Sequence, residues 1–161
     1  MKTLRVFSAT SRPNPSLVAN LSAAQDLFLR SARTGHLATS SKDGQPHVIP
    51  VCYVFDGTVI YSVLDAKPKT TPLKRLRRVR NILANPQVSL IADHYEEDWT
   101  RLQYVLVIGE AGLLESGEEW SRAIAMLREK YPQYRQMDLD QSPVIKITPA
   151  RFVPWSSQPE F

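Results

Sequence analysis

With 161 residues, of which 43% are hydrophobic and 22% charged, the chain has the balance of an ordinary folded domain and the length to bury roughly 70% of the surface its unfolded form exposes, which excludes disorder. The net charge of +4 is modest but unevenly placed: between Lys67 and Arg80 lie Lys67, Lys69, Lys74, Arg75, Arg77, Arg78 and Arg80 with no acid, and Asp93, Glu96, Glu97 and Asp98 follow as an acidic cluster. The one cysteine, Cys52, excludes an internal disulfide framework and a cysteine-based zinc cluster, and with no long apolar run or apolar leader the expectation is a cytoplasmic protein without a membrane partner.

Residues 1–20 mix Pro, Ser, Thr and Asn with scattered apolar residues and read as an N-terminal arm, leaving 21–161 as the folded domain. Ser22 with Gln25 is a capping-box pattern that opens a helix of about three turns, ended by Gly35. A β-rich block follows: a strand over 36–39, a turn at Lys42-Asp43-Gly44, a strand over 46–55, an Asp56-Gly57 hairpin and a strand over 58–64, together predicting a three-stranded meander. Leu73, Leu76, Val79, Ile82 and Leu83 recur at helical spacing among basic residues, which predicts an amphipathic helix over 73–84 that Asn85-Pro86 stops. Strands are predicted over 87–92 and over 102–114, the latter interrupted at Gly109. Ser116 with Glu119 offers a second capping box for a helix to Lys130, and a last strand spans 144–152 before a tail with Trp155. Strands in sequence with short connections favour a closed or nearly closed antiparallel barrel, mainly β with flanking helices, over a parallel α/β sheet.

The basic segment is the most informative feature for function. Lys67, Lys69, Thr70 and Thr71 lie just ahead of the cationic helix, where ammonium groups, hydroxyls and free backbone N–H groups can converge on a phosphate. A solvated basic face and a nucleic-acid contact are the competing explanations, but no basic-aromatic interleaving accompanies the run, so no nucleic-acid partner is expected. Pro50 removes a ladder donor from its strand and places that point at a sheet edge or bulge. His36, His47 and His94 lack metal-ligand spacing, Cys52 has no adjacent base, and no GxSxG, GxGxxG or Walker loop is present.

Taken in order, His36-Leu37-Ala38-Thr39, the run from Asp43-Gly44 to Pro50-Val51, Lys67-Pro68-Lys69-Thr70, Asn85-Pro86-Gln87-Val88-Ser89-Leu90 and Asp98-Trp99-Thr100-Arg101 resemble the pyridoxamine phosphate oxidase-like family, most closely its deazaflavin-using branch. The resemblance implies an antiparallel split β-barrel of the FMN-binding type, acting as a homodimer with one cofactor, FMN or coenzyme F420, in each of two interface clefts. It implies that Val48, Ile49, Pro50 and Val51 lie beside the flavin-like ring. Tyr61, Ser62 and Val63 then flank the ribityl chain, Lys67, Lys69 and Thr70 hold the phosphate, and Trp99 of either subunit walls the cleft. Arg75 and Arg78 suit the anionic tail of the deazaflavin. The sequence departs from the archetypal oxidase in lacking the arginine and histidine pair that grips pyridoxal phosphate. The expected activity is hydride transfer between the bound cofactor and a small organic substrate; the alternative is a flavin or deazaflavin carrier or sensor without turnover.

Overall fold

A computed structural model describes residues 20–65 and 73–161 of the chain. Lys67, Lys69 and Thr70, and the arm expected over 1–20 apart from Asn20, lie outside the described residues. In chain order the elements are α1 (Ala23–Ser31), β1 (Gly35–Ser40), β2 (Pro46–Val51), β3 (Val54–Phe55), β4 (Ile60–Val63), α2 (Arg77–Ala84), β5 (Gln87–His94), β6 (Gln103–Leu114), α3 (Glu118–Lys130) and β7 (Val144–Ser156). Short 3-10 turns occupy Leu73–Arg75, Trp99–Arg101 and Pro132–Arg135. No helix among the described residues is long and apolar enough to cross a membrane.

The strands form one antiparallel sheet in the order β2-β1-β5-β6-β7-β4-β3. Its two edge strands, β2 and β3, are consecutive in the chain, separated by Cys52 and Tyr53 alone. The sheet therefore curls until its edges meet, giving the mainly β split barrel that the sequence predicts. The predicted meander is not what forms. Both predicted hairpins form, β1 with β2 and β3 with β4, but 46–55 divides into β2 and β3 on opposite edges and the second neighbour of β4 is β7. At the crossing, the Tyr53 amide donates to the Tyr131 hydroxyl at 3.0 Å and the Tyr53 hydroxyl donates to the Leu29 carbonyl at 2.6 Å, so the backbone finds its partner in a side chain instead of a ladder.

Alternation along the strands sorts residues to two sides. Val88, Leu90 and Ala92 of β5, Val105 and Val107 of β6, Ile145 and Ile147 of β7 and Ile60 of β4 fill the interior, which Leu29 of α1 and Val79 and Ile82 of α2 close. On the outside, Tyr61 and Val63 of β4 and Val144 of β7 meet Ala123, Ile124 and Leu127 of α3. Each fully buried aliphatic side chain stabilises the fold by about 1.5–3 kcal/mol relative to its exposed state.

The helix ends depart from expectation in instructive ways. The Ser22–Gln25 capping box forms, with both reciprocal bonds at 3.0 and 3.1 Å. Gly35 does not end α1, which stops at Ser31; it opens β1, where a Cβ would sit 3.0 Å from Leu90 and 3.1 Å from Tyr53. The predicted helix 73–84 begins as a 3-10 turn, and α2 starts at Arg77 without a side-chain cap. The Ser116–Glu119 box does not form: Gly117, at φ 98°, precedes α3, and the Glu119 carboxylate instead accepts from the Tyr61 hydroxyl and the Lys146 ammonium, each at 2.8 Å. Lys146 faces Tyr61 across the β4–β7 ladder, so one carboxylate ties α3 to two strands.

Lys130 closes α1 from the other end of α3. Its ammonium donates to the Ala32 carbonyl at 2.7 Å and lies 4.3 Å from the Tyr53 ring centroid. Burial, seconded by the Arg33 charge, pushes its pKa down to about 8 from 10.5. Between those two values the unfolded chain holds the proton more firmly than the folded one, so stability rises with pH across that window and the gain is absent below it. Urea unfolding of wild type and Lys130→Met at pH values across the window is expected to show the wild type gaining relative to the variant. A pH-independent difference would mean that the carbonyl and ring contacts hold the ammonium's proton against burial.

Candidate functional site

A cleft of about 240 Å³ opens where β2, the crossing and β4 converge, lined by Thr34, Pro50, Val51, Cys52, Ser62, Val63, Asp65, Arg78 and Tyr134. Its walls come from three chain regions for one reason: the crossing brings the edge strand β2 beside the β3–β4 hairpin, and α2 lies across the mouth. α2 is fixed there by Asn81 and Asn85, whose side-chain amides donate to the hydroxyls of Thr39 at 3.0 Å and Ser40 at 2.8 Å.

Four of the predicted site residues, Pro50, Val51, Ser62 and Val63, meet in this cleft. Pro50 is on an edge strand, as its missing donor requires. Val48 shares the outer face of β2 with Pro50 and is 58% exposed, whereas Ile49 turns to the other face and is half-buried. Side chains of 48–51 thus alternate across the strand, and only backbone groups of the whole stretch can serve one ligand. Tyr61 is not brought to the cleft: its ring is fully buried beneath α3, where burial and the Glu119 contact raise its pKa. Arg75 is exposed on the turn before α2, and Trp99 is 68% exposed in the β5–β6 connection.

The residue that sequence reasoning undervalued is Arg78. It lines the cleft, half-buried, and its Nε is buried without a hydrogen-bond partner among the described residues. Burial lowers its pKa and the Asp65 charge works the other way. A guanidinium sunk into a cleft with an orphaned donor fits an anionic oxygen. Asp65, which precedes Lys67 and Lys69 in the chain, lines the same cleft. A phosphorylated ligand fits this donor set. Arg77 and Arg80 of α2 are exposed and, with Arg75, extend positive charge outward from it.

A larger cavity, about 620 Å³, adjoins the cleft at Thr34 and lies between the end of α1, the ends of β1, β5 and β6, and the residues around Ser156. His36 and Asp93 meet on its wall, Nδ1 to Oδ1 3.3 Å.

The sequence model of the pyridoxamine 5'-phosphate oxidase family matches residues 21–156. The chain belongs to that family. Among its relatives is 5a,11a-dehydrotetracycline/5a,11a-dehydrooxytetracycline reductase of Streptomyces rimosus, 28% identical over 132 residues that make up 80% of this chain and 78% of the relative. Similar solved structures include a conserved hypothetical protein of Mycobacterium tuberculosis, 26% identical with a TM-score of 0.68 over 86% of each chain. A protein described as an F420 reductase is 22% identical, with a TM-score of 0.61 over 86% of this chain and 100% of its own, and shares the fold. As a member of the pyridoxamine 5'-phosphate oxidase family, the chain shows the expected split barrel, with the edge strand carrying Pro50 beside a cationic helix.

Proposed function

We propose that this member of the family is a flavin- or deazaflavin-dependent oxidoreductase, transferring a hydride between a bound cofactor and a small organic substrate. The observation that carries the reading is the half-buried Arg78 guanidinium, whose Nε has no hydrogen-bond partner among the described residues, set in a cleft walled by Pro50, Val51, Ser62 and Val63. Arg78, with Lys67, Lys69 and Thr70 that follow Asp65 in the chain, neutralises the cofactor's phosphate. Backbone groups of 48–51 on the free side of the edge strand orient the ring, and Ser62 and Val63 flank the ribityl chain. Bound there, the cofactor supplies the hydride chemistry. The reductase relative from Streptomyces rimosus supports the reaction class.

The strip formed by Arg75, Arg77 and Arg80 favours coenzyme F420 over FMN, because the deazaflavin continues beyond its phosphate as an anionic tail. Fluorescence titration of the purified protein with FMN and F420 side by side tests this, and equal affinity would remove the strip from the argument. Turnover is separated from mere sequestration by following reoxidation of reduced cofactor with an acceptor, with and without protein. No acceleration by the protein would favour the carrier alternative.

The same reading includes a homodimer. Register places Pro50, His36, Ile91, Leu106 and Val153 in one row across the outer face of β2, β1, β5, β6 and β7, and Val48, Ala38, Ser89, Ile108 and Arg151 in the next. Ile91, Leu106, Ile108 and Val153 belong to neither core cluster, so this apolar face is left uncovered by the described helices. A second copy seated here would cover Val48, and exposed Trp99 is free to reach the neighbouring cleft. Leu106→Arg is expected to convert the dimer to monomer in light-scattering chromatography and to weaken cofactor binding with it. A dimer that survives the substitution would place the interface elsewhere.

A further inference from the structure

The larger cavity beside the cleft has chemistry of its own. Donors dominate its wall: Arg33, Arg101, Gln103 and Ser156 face it together with His36, against one carboxylate, Asp93. That carboxylate is engaged by His36 Nδ1, which leaves the other ring nitrogen, Nε2, for a ligand. Arg101 pairs with Glu96 through Nε at 2.8 Å, and its terminal nitrogens remain. Phe28 supplies an aromatic wall. The volume of about 620 Å³ is that of a site for a small organic molecule.

His36 is the cross-strand neighbour of Pro50, and Thr34 borders both cavities, so a molecule held here lies one strand away from the edge that walls the cofactor cleft. We infer that this cavity is the acceptor site and that it takes a vinylogous acid, a planar compound in which an acidic hydroxyl is conjugated to a carbonyl. The inference rests on the proposed oxidoreductase reading for the word acceptor, and on the cavity alone for the ligand class. One proton is shared between the ligand's hydroxyl oxygen and His36 Nε2, with Asp93 fixing the ring from behind. The conjugated carbonyl oxygen accepts from Gln103 and Arg101, and the Arg101 guanidinium stands beside the delocalised anion. A neutral quinone offers carbonyl acceptors but no charge to meet the cations, and a hydrocarbon offers neither, so both bind less well.

The probe is the hydroxynaphthoquinone lawsone, a vinylogous acid, compared with its parent naphthoquinone, which lacks the hydroxyl. Calorimetric titration of the full-length chain without cofactor is expected to show lawsone binding at least about tenfold tighter than the parent, the worth of one good charge-assisted hydrogen bond. Gln103→Leu is expected to lose about tenfold for lawsone and nothing for FMN or F420, His36→Phe is expected to lose a similar factor for lawsone, and the His36 ring resonances are expected to shift on lawsone addition. Equal binding of lawsone and the parent, or of lawsone to wild type and both variants, overturns the inference. The separate cofactor titration keeps the two ideas apart: a protein that binds lawsone through His36 but neither cofactor defeats the oxidoreductase reading and leaves the ligand class standing.

Discussion

Arg78→Met is expected to weaken FMN or F420 binding by about 1.5–3 kcal/mol, roughly ten- to a hundredfold, the contribution of a hydrogen bond to a charged group. The fold is expected to keep its stability. The Arg78 Nε is already buried without a partner among the described residues, so an apolar side chain of similar length removes an unpaired polar atom rather than a bond. A structural arginine would behave in the opposite way, losing stability and leaving affinity intact. Fluorescence titration and urea unfolding on one preparation distinguish the two. Lys69→Ala, measured alongside, is expected to lose a similar amount of affinity; a loss confined to Lys69 would place the phosphate on the loop and away from α2.

The largest expected loss of stability comes from Gly109→Ala, about 3 kcal/mol or more, and a drop in melting temperature to match. Gly109 is buried in β6 opposite a register shift, where its neighbour Ile108 pairs with Arg151 and Gly109 itself pairs with Pro149. A Cβ there would stand 2.2 Å from the Thr148 carbonyl oxygen, a backbone atom that cannot swing aside. The strand is not interrupted at this point, as its sequence suggests, but runs through a bulge from Gln103 to Leu114. Calorimetric melting of the variant checks this, and an unchanged midpoint would mean that β7 can yield around Thr148.

Local signals and the barrel class were legible, and the strand order that closes the barrel was not. Ser22 and Gln25 announce a cap because both partners lie within one turn, and Asp56-Gly57 announces its turn because Asp56 Oδ1 accepts from the amides of Thr58 and Val59 within three residues. Ser116 and Glu119 carry the same local signal as the first cap, yet Glu119 goes to Tyr61 and Lys146, partners that only the folded chain supplies. The division of 46–55 is invisible for a related reason. Cys52 and Tyr53 are good strand residues, and the crossing they make is imposed by the meeting of the sheet edges and by the Tyr131 hydroxyl. In the site, Pro50 read correctly from its missing donor. Tyr61 and Ser62 could not be separated by likeness to a family, because adjacent strand residues face opposite ways and burial under α3 decides which one reaches the cleft. Arg78 was hidden within a run of cations. Its signal was its position one helical turn before the buried Ile82, which puts it toward the core side of α2, whereas Arg77 and Arg80 face solvent.

The pairing of β4 with β7 sets an order of events during synthesis. β1–β2 and β3–β4 are local hairpins, but β4 finds its other neighbour only in a strand that begins at Val144, more than half the domain later. Contacts of such long sequence separation slow folding, since loop entropy is lost before they form. The Ser62–Val63 wall of the cleft is therefore among the last parts to be completed, and a nascent chain acquires a place for the cofactor only when β7 has left the ribosome.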